Sequence, residues 1–356
     1  MLDHSTIARF RQANREELAA LFTQMLRLCA EAGLVKVGVV ALDGTKVKAS
    51  ASLDANRTYA SIKGKVKRML TEAAARDAEE DEIYGAGQRG DELPEDLQDR
   101  RKRLVRLREA KARLEREAAA EAGKQAQKIR EREAEEKKAG RKMRGRKPKE
   151  PEETPAAEAK ANVTDPESRI MKTPAGYVQG YNAQAMVTED QLIIAADVTQ
   201  EGNDVRQLHP MLQQAQDELA AAGVQEPIGV GLADAGYWSQ ANIREADPHG
   251  PELLIATTKG WKQRKVLREK GPPRGRIPKD LSLRGRMERK LRTKRGVELY
   301  SKRGWMVEAV FGHIKHLRAC DRFMRRGHSA VRSEWRLIAT RHNLPKLWRS
   351  GKAAWA

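Results

Sequence analysis

Two short, unbroken apolar runs, each followed at once by an aspartate, limit the folds open to this chain. Residues 37–42 (VGVVAL) precede Asp43, and residues 228–233 (IGVGLA) precede Asp234. Valine-rich runs of this length are typical of strands that are buried on both faces. Binding sites in open α/β sheets lie at the carboxyl ends of such strands. If the two strands are neighbours, the sheet brings both carboxylates to one edge.

The rest of the globular pattern predicts further strands and helices around these two. Residues 177–187 and 192–198 are separated by a polar turn and predict an antiparallel hairpin. Another buried strand is expected at 253–256. Helical spacing occurs at 5–33 (one helix or a helix pair), 204–222, about 238–246, about 304–318 and 329–349. This order of strands and helices predicts a mixed α/β sheet.

A long charged tract interrupts this pattern. From about residue 57 to 160 the chain consists of charged, alanine-rich helix formers and ends in a proline-containing stretch with both signs of charge. Leucines in the tract recur at spacings of seven and three residues, which indicates a short helical hairpin or coiled coil. The tract is either a solvated helix pair or a specific reader of a partner. We interpret it as an insertion after the first strand.

The charge of the chain indicates a polyanionic partner. The net charge is +19, and Lys and Arg give sequence-independent affinity for nucleic acid by neutralising phosphates. From residue 259 onward there are 29 Lys and Arg against 7 Asp and Glu, so this part carries the whole excess. Two widely separated cysteines, no signal segment and no long apolar run predict a cytoplasmic protein.

Carboxylates at one sheet edge are suited to phosphoryl transfer. Oxygen ligands bind Mg²⁺, and two ions held about 3.5–4 Å apart activate a nucleophile and stabilise a leaving oxygen. Asp43 and Asp234 provide two ligands, and Glu308 is a candidate third because it is isolated in a strongly basic stretch. An apolar helix face is expected to lay Glu308 against the sheet, formed by Trp305, Val307, Val310, Phe311 and Ile314.

Each of these acids also has a simpler interpretation. Asp43 followed by glycine is a common turn signal, Asp234 is a possible cap for the next helix, and Glu308 is a possible surface charge. Residues interpreted as packing or satisfied helix positions, rather than as base-stacking or metal-binding ones, are Tyr237, Trp238, His342 and Asn343.

Taken together, the segments around these acids resemble the DDE transposases of bacterial insertion sequences. The segments are VALDGTK, YNAQA with DVTQEGNDVRQL, LADAGYW, RKLRTKRG and VEAVFGHIK, and the resemblance extends over nearly the whole chain. It implies a ribonuclease H-like fold with the first Asp on strand one, the second on strand four and the Glu on a later helix. Those roles, catalytic and metal-binding, fall on Asp43, Asp234 and Glu308, with two Mg²⁺ or Mn²⁺ ions.

The same resemblance implies double-stranded DNA as the partner, and a cytoplasmic protein that is nucleoid-associated when bound to DNA. The DNA comprises the terminal inverted repeats of the element and the target, and the protein is expected to act as a homodimer or larger assembly. Phosphate contacts are assigned to Lys315, Arg303, Arg292, Lys294, Arg295 and Arg318.

The chain departs from the family pattern in two places. Related groups have Tyr, two residues, Arg, three residues, Glu, six residues and Lys. Tyr300, Arg303, Glu308 and Lys315 follow this order, but four residues separate the Arg from the Glu. Family members also carry a longer helical region before the first Asp, whereas 42 residues precede Asp43 here. We therefore expect a chain that is shortened at its N-terminus.

These observations predict a ribonuclease H-like mixed α/β sheet with a charged helical insertion after the first strand and a basic helical C-terminal tail. The expected parts are a helical remnant (1–35), the first catalytic segment (36–56), the insertion and linker (57–160) and the remaining catalytic domain (161–356). The predicted activity is metal-dependent cleavage at element ends and strand transfer into target DNA. The alternatives are a non-catalytic nucleic-acid-binding remnant and a ribonuclease H-like nuclease without strand transfer.

Overall fold

A computed structural model of the chain describes residues 4–84, 95–278 and 280–352. The strands are β1 (Val39–Lys48), β2 (Asn56–Thr58), β3 (Lys160–Asn162), β4 (Arg169–Thr173), β5 (Gly176–Thr188), β6 (Ile193–Thr199), β7 (Val230–Ala233) and β8 (Glu252–Ile255). The α-helices are α1 (His4–Ala13), α2 (Arg15–Glu31), α3 (Tyr59–Tyr84), α4 (Glu95–Ala139), α5 (Leu208–Ala221), α6 (Gln240–Arg244), α7 (Trp261–Glu269), α8 (Leu283–Leu291), α9 (Lys294–Arg303), α10 (Ala309–Gly312) and α11 (His328–Arg349).

The chain divides into two compact units. One unit comprises Met1–Ser50 together with Arg169–Ala356, and the other comprises Ala51–Ser168. The four-part division expected from the sequence stays a prediction. Among the described residues, no helix combines the length and the apolar character needed to cross a membrane.

The larger unit contains the mixed α/β sheet that the sequence predicts, which is confirmed. Its strand order is β4-β5-β1-β7-β8, and β6 also pairs with β5. β1 is antiparallel to β5 and parallel to β7, which is in turn parallel to β8. The two apolar runs before Asp43 and Asp234 are therefore neighbouring strands, which is the arrangement that brings their carboxylates together.

β1 is longer than expected, and this corrects the position of Asp43. The strand does not end at Asp43 but continues to Lys48, because β5 pairs with it from Val40 to Lys48. Only the parallel pairing with β7 ends here, at Leu42 opposite Ala233. The Asp-Gly pair is therefore not a turn. Instead, Asp43 lies in the middle of β1, directly after the last residue that pairs with β7.

Helices α2, α5 and α11 provide the apolar cover of this sheet. Leu26 of α2 and Met211 of α5 join Leu42 of β1 and Ile194 of β6 in one buried cluster. Farther along, α11 packs against α2 and β6, and its Trp335 is completely buried. These helices follow the helical spacing of apolar residues in the sequence, which is confirmed for α1, α2, α5 and α11.

The smaller unit is built around a helical hairpin. Tyr59 and Ile62 of α3 are buried in one cluster with Leu107 and Leu114 of α4. The short antiparallel pair β2–β3 lies beside it. The predicted hairpin is confirmed, whereas β2, β3 and β4 were not predicted because their largely polar sequences (NRT, KAN and RIMKT) contain no apolar run and no clear apolar alternation.

His342 and Asn343 of α11 are satisfied structural residues, as predicted. Asn343 accepts from the backbone N–H of Ile193 at 3.0 Å and donates to the carbonyl of Ile193 at 2.8 Å. His342 donates through Nε2 to the carbonyl of Gln191 at 3.0 Å, and its Nδ1 lies 3.3 Å from Nδ1 of His313. Both residues therefore fasten α11 to the β5–β6 turn.

The burial of His342 predicts a pH-dependent stability. Burial, with a smaller effect of nearby cations, lowers the pKa of His342 from 6.5 to about 4. Because the unfolded chain takes up this proton and the folded chain does not, the stabilisation is complete above pH 6.5 and is lost as pH falls from 6.5 to about 4. The loss is roughly 3 kcal/mol. Urea unfolding across this range should show it, and His342→Gln should remove it. The same substitution at exposed His316 is the control; an equal effect there contradicts the assignment.

Candidate active site

Asp43 and Asp234 lie side by side at the place where β7 ends. Asp234 directly follows β7, and its Oδ1 accepts the N–H of Gly236 at 2.7 Å. Asp43 follows the last parallel pair on β1, and its Oδ1 accepts the N–H of Gly44 at 2.8 Å. Asp234 does not cap the next helix, because Ser239 caps α6. The sheet therefore brings together two of the three predicted acids.

The electrostatic surroundings of Asp43 are unusual for a surface acid. Burial raises the pKa of Asp43 to about 6, the charge of Asp234 adds to the increase, and Arg303 opposes both. Nη1 of Arg303 lies 2.8 Å from Oδ2 of Asp43, and both side chains are largely shielded from solvent. The site thus contains a carboxylate pair that needs a cation, and Arg303 supplies one.

Three residues of the Tyr-Arg-Glu-Lys motif contact the two strands that carry these acids. The hydroxyl of Tyr300 donates to the carbonyl of Ala233, next to Asp234, at 3.2 Å. Arg303 pairs with Asp43, and Nζ of Lys315 donates to the carbonyl of Lys46 on β1 at 2.7 Å. These contacts hold the helical segment from α9 onward along β1 and the end of β7.

The extra residue between Arg303 and Glu308 is accommodated by a π-helical turn. The segment Gly304–Glu308 is a π-helix, and a second one follows at His313–Leu317. In a π turn, residue i+5 takes the place that residue i+4 has in an α-helix. Glu308 therefore follows Arg303 by one turn, despite the longer spacing. The π turn also changes the apolar face, since Met306 is buried and Trp305, predicted to pack, is exposed.

Glu308 itself lies apart from the two aspartates. The Glu308 side chain is exposed and lies beside Gly304. If Gly304 carried a Cβ atom, Oε1 of Glu308 would be 3.7 Å from it. Within the described ranges, Glu308 forms no hydrogen bond or ion pair, and no three Asp, Glu, His or Cys side chains lie close enough to hold a metal ion. The assignment of Glu308 as third ligand stays a prediction.

A buried polar network, which was not predicted as functional, adjoins the site. Oδ1 of Asp204 accepts from the side-chain amides of Asn182 (2.6 Å) and Gln184 (2.9 Å), and it lies 3.4 Å from Nζ of Lys46. Oε1 of Gln184 accepts from the hydroxyl of Tyr237, which confirms Tyr237 as a buried packing residue. The network therefore joins β1, β5 and the segment before α5 to the turn that contains Asp234.

Two glycines make room for this network. A methyl group on Gly44 would lie 2.2 Å from Nε2 of Gln184 and 2.6 Å from Oδ1 of Asp204. One on Gly236 would lie 2.8 Å from Oδ1 of Asp234 and 3.3 Å from Oδ2 of Asp204. Gly236 thus lies between two carboxylates. The glycine after Asp43 serves close packing across the sheet rather than a turn.

The cations predicted to bind DNA are mostly engaged within the protein. Arg303 and Lys315 contact the sheet as described, and Lys294 is exposed. The other three bind as follows: Arg292 to the carbonyls of Lys270 and Gly271, Arg295 to Glu252, and Arg318 to the carbonyl of Arg341. Their assignment to DNA stays a prediction.

Comparison with protein families gives one decisive match. The model of the family described as the transposase DDE domain matches residues 146–344, which is more than half of the chain. The chain belongs to this transposase family. The matched range includes Asp234 and Glu308, while Asp43 precedes it. Neither the curated proteins nor the solved structures yielded a match.

Membership of the family explains the general character of the site. The mixed sheet is compatible with a ribonuclease H-like transposase fold, and the family consists of DNA transposition enzymes that generally use divalent metal ions. The residues present suit such an ion, because Asp43 and Asp234 are hard oxygen donors whose charges repel each other. The family also implies DNA as a partner.

Proposed function

We propose that this protein cleaves DNA at the ends of an insertion sequence and joins the released 3′-hydroxyl to target DNA. The observation that carries the proposal is the parallel pairing of β1 with β7, which places Asp43 and Asp234 next to each other where β7 ends. The proposed substrates are the terminal inverted repeats and the target duplex. A homodimer or larger assembly on DNA would bring two ends together.

In this proposal Asp43, Asp234 and Glu308 are the catalytic acids and hold two Mg²⁺ or Mn²⁺ ions. Bound ions of this kind activate the attacking oxygen and stabilise the leaving oxygen of an in-line phosphoryl transfer. Tyr300 and Lys315 hold the helical segment against the sheet, and Arg303 orients the carboxylate of Asp43. The proposal requires the Glu308 side chain to leave its exposed position beside Gly304.

The proposal is tested with DNA that carries the terminal repeats bracketing the gene. We expect cleavage at the repeat ends and joining to a second duplex in Mg²⁺ or Mn²⁺, and neither product after chelation of the ions. Cleavage without joining would instead identify a nuclease. Salt-sensitive binding that is indifferent to the ions, without cleavage, would identify a non-catalytic DNA-binding remnant. Either result contradicts the proposed transposition activity.

A further inference from the structure

Most of the predicted DNA contacts are engaged within the protein, but a group of arginines elsewhere has positive charge that is not balanced. An arginine cluster (Arg11, Arg15 and Arg325) lies where α1 and α2 meet the start of α11. Nη2 of Arg11 lies 3.4 Å from Oε1 of Glu334 in α11. Nη1 of Arg15 donates to the hydroxyl of Ser329 in the same helix at 3.2 Å. Arg325 lies in the loop before α11 and is close enough to interact electrostatically with both arginines and with Glu334.

Glu334 is the acid that faces this cluster, and it is already in use. It is almost completely buried, and its carboxylate accepts the backbone N–H groups of Met324 at 3.1 Å and Arg325 at 3.0 Å. Among the residues that the structure describes, one carboxylate thus faces three guanidinium groups, which leaves the cluster with an excess of positive charge. Burial, together with the charges of Arg15 and Arg11, lowers the pKa of Arg325. The arrangement is electrostatically unfavourable unless an anion is added.

The donors of the cluster are not all satisfied within the protein. The Nε atoms of Arg11 and Arg15 are buried and have no hydrogen-bond partner among the residues that the structure describes. Among the described residues, the guanidinium of Arg325 also forms no hydrogen bond or ion pair. Guanidinium groups match the geometry of phosphate oxygens and bind them through paired N–H donors.

The surroundings of the cluster favour a polymer of phosphates over a single small anion. The loop before α11 also carries Arg322 and Arg326, both exposed, so the positive surface continues beyond the cluster. We propose that Arg11, Arg15 and Arg325 bind a backbone phosphate of duplex DNA. The inference rests on the proposed function for its ligand, and it assigns phosphate contact to residues other than the six cations predicted from the sequence.

The test is the salt dependence of binding to a short duplex of arbitrary sequence, measured on the full chain between about 50 and 200 mM salt without divalent ions. Each phosphate contact contributes a slope of about 0.9 in log affinity against log salt. We expect Arg325→Gln and Arg15→Gln each to reduce the slope by about one and the affinity about five- to tenfold at 0.1 M salt. Arg325→Lys keeps the charge and should keep the slope.

Arg9→Gln is the matched control, because Arg9 lies on α1, is exposed and carries the same charge. Urea unfolding confirms that each variant is folded. The inference is overturned if the cluster variants keep the wild-type slope, or if Arg9→Gln lowers it equally. It is also overturned if inorganic phosphate stabilises the wild type but not the variants while the DNA slope is unchanged, since the site then takes a free anion. Duplex binding with the expected slopes but no cleavage supports the cluster and contradicts only the proposed transposition activity.

Discussion

Asp234→Asn is expected to lower metal-dependent DNA cleavage by about a thousandfold or more while leaving duplex affinity within a factor of about two. The substitution removes the negative charge but retains an oxygen that can accept the N–H of Gly236, so the turn after β7 should persist. Loss of activity would therefore report the charge at this position and not the fold. The measurement is the single-turnover cleavage rate in saturating Mg²⁺, together with the free energy of unfolding in urea.

Asp247→Asn is a close control for this variant. Asp247 forms the same local turn, with its Oδ1 accepting the N–H of His249 at 2.9 Å, but it lies after α6. We expect wild-type cleavage from this variant. Asp43→Asn should match Asp234→Asn in activity, although it also breaks the charge pair with Arg303. Cleavage by Asp234→Asn within tenfold of the wild-type rate would show that this carboxylate does not participate in the reaction.

The sequence predicted the sheet well because its central strands are buried on both faces. Such strands appear as unbroken apolar runs, and the runs at 37–42 and 228–233 proved to be the parallel neighbours β1 and β7. The end of β1 was misplaced because a glycine after an aspartate usually marks a turn. In this chain a glycine is needed at position 44 for a different reason, because the side-chain amide of Gln184 occupies the space that a Cβ atom would need.

The candidate site was predictable only in part. The apolar runs predicted that Asp43 and Asp234 lie close together, but α-helical spacing does not indicate the π turn that places Glu308 one turn after Arg303. One feature of the sequence indicates the network around Asp204. Asn182 and Gln184 lie two residues apart on the same face of a buried strand, and buried polar side chains at such positions need partners. The partner, Asp204, is 20 residues from Gln184, so spacing alone did not reveal it.

Trp335→Ala is expected to be the most destabilising substitution in the larger unit, by about 3–5 kcal/mol. Trp335 is completely buried in α11. Its ring packs edge-to-face on Phe323 at 6.3 Å and lies 6.4 Å from Phe311, so its removal leaves a cavity between helix and sheet. The indole N–H also donates to the carbonyl of Gln184 at 2.8 Å. The change is measured as the free energy of unfolding in urea.

Two further substitutions separate the contribution of packing at Trp335 from that of its hydrogen bond. Trp335→Phe keeps most of the ring volume and loses the donor, so a cost of about 1–2 kcal/mol is expected from the unpaired carbonyl and the smaller ring. Trp348→Ala, on the same helix but 64% exposed, should cost less than about 1 kcal/mol. Equal losses for Trp335→Ala and Trp348→Ala would contradict the buried role of Trp335. Because Gln184 also belongs to the network that reaches the Asp234 turn, we expect Trp335→Phe to lower cleavage by more than its loss of stability explains.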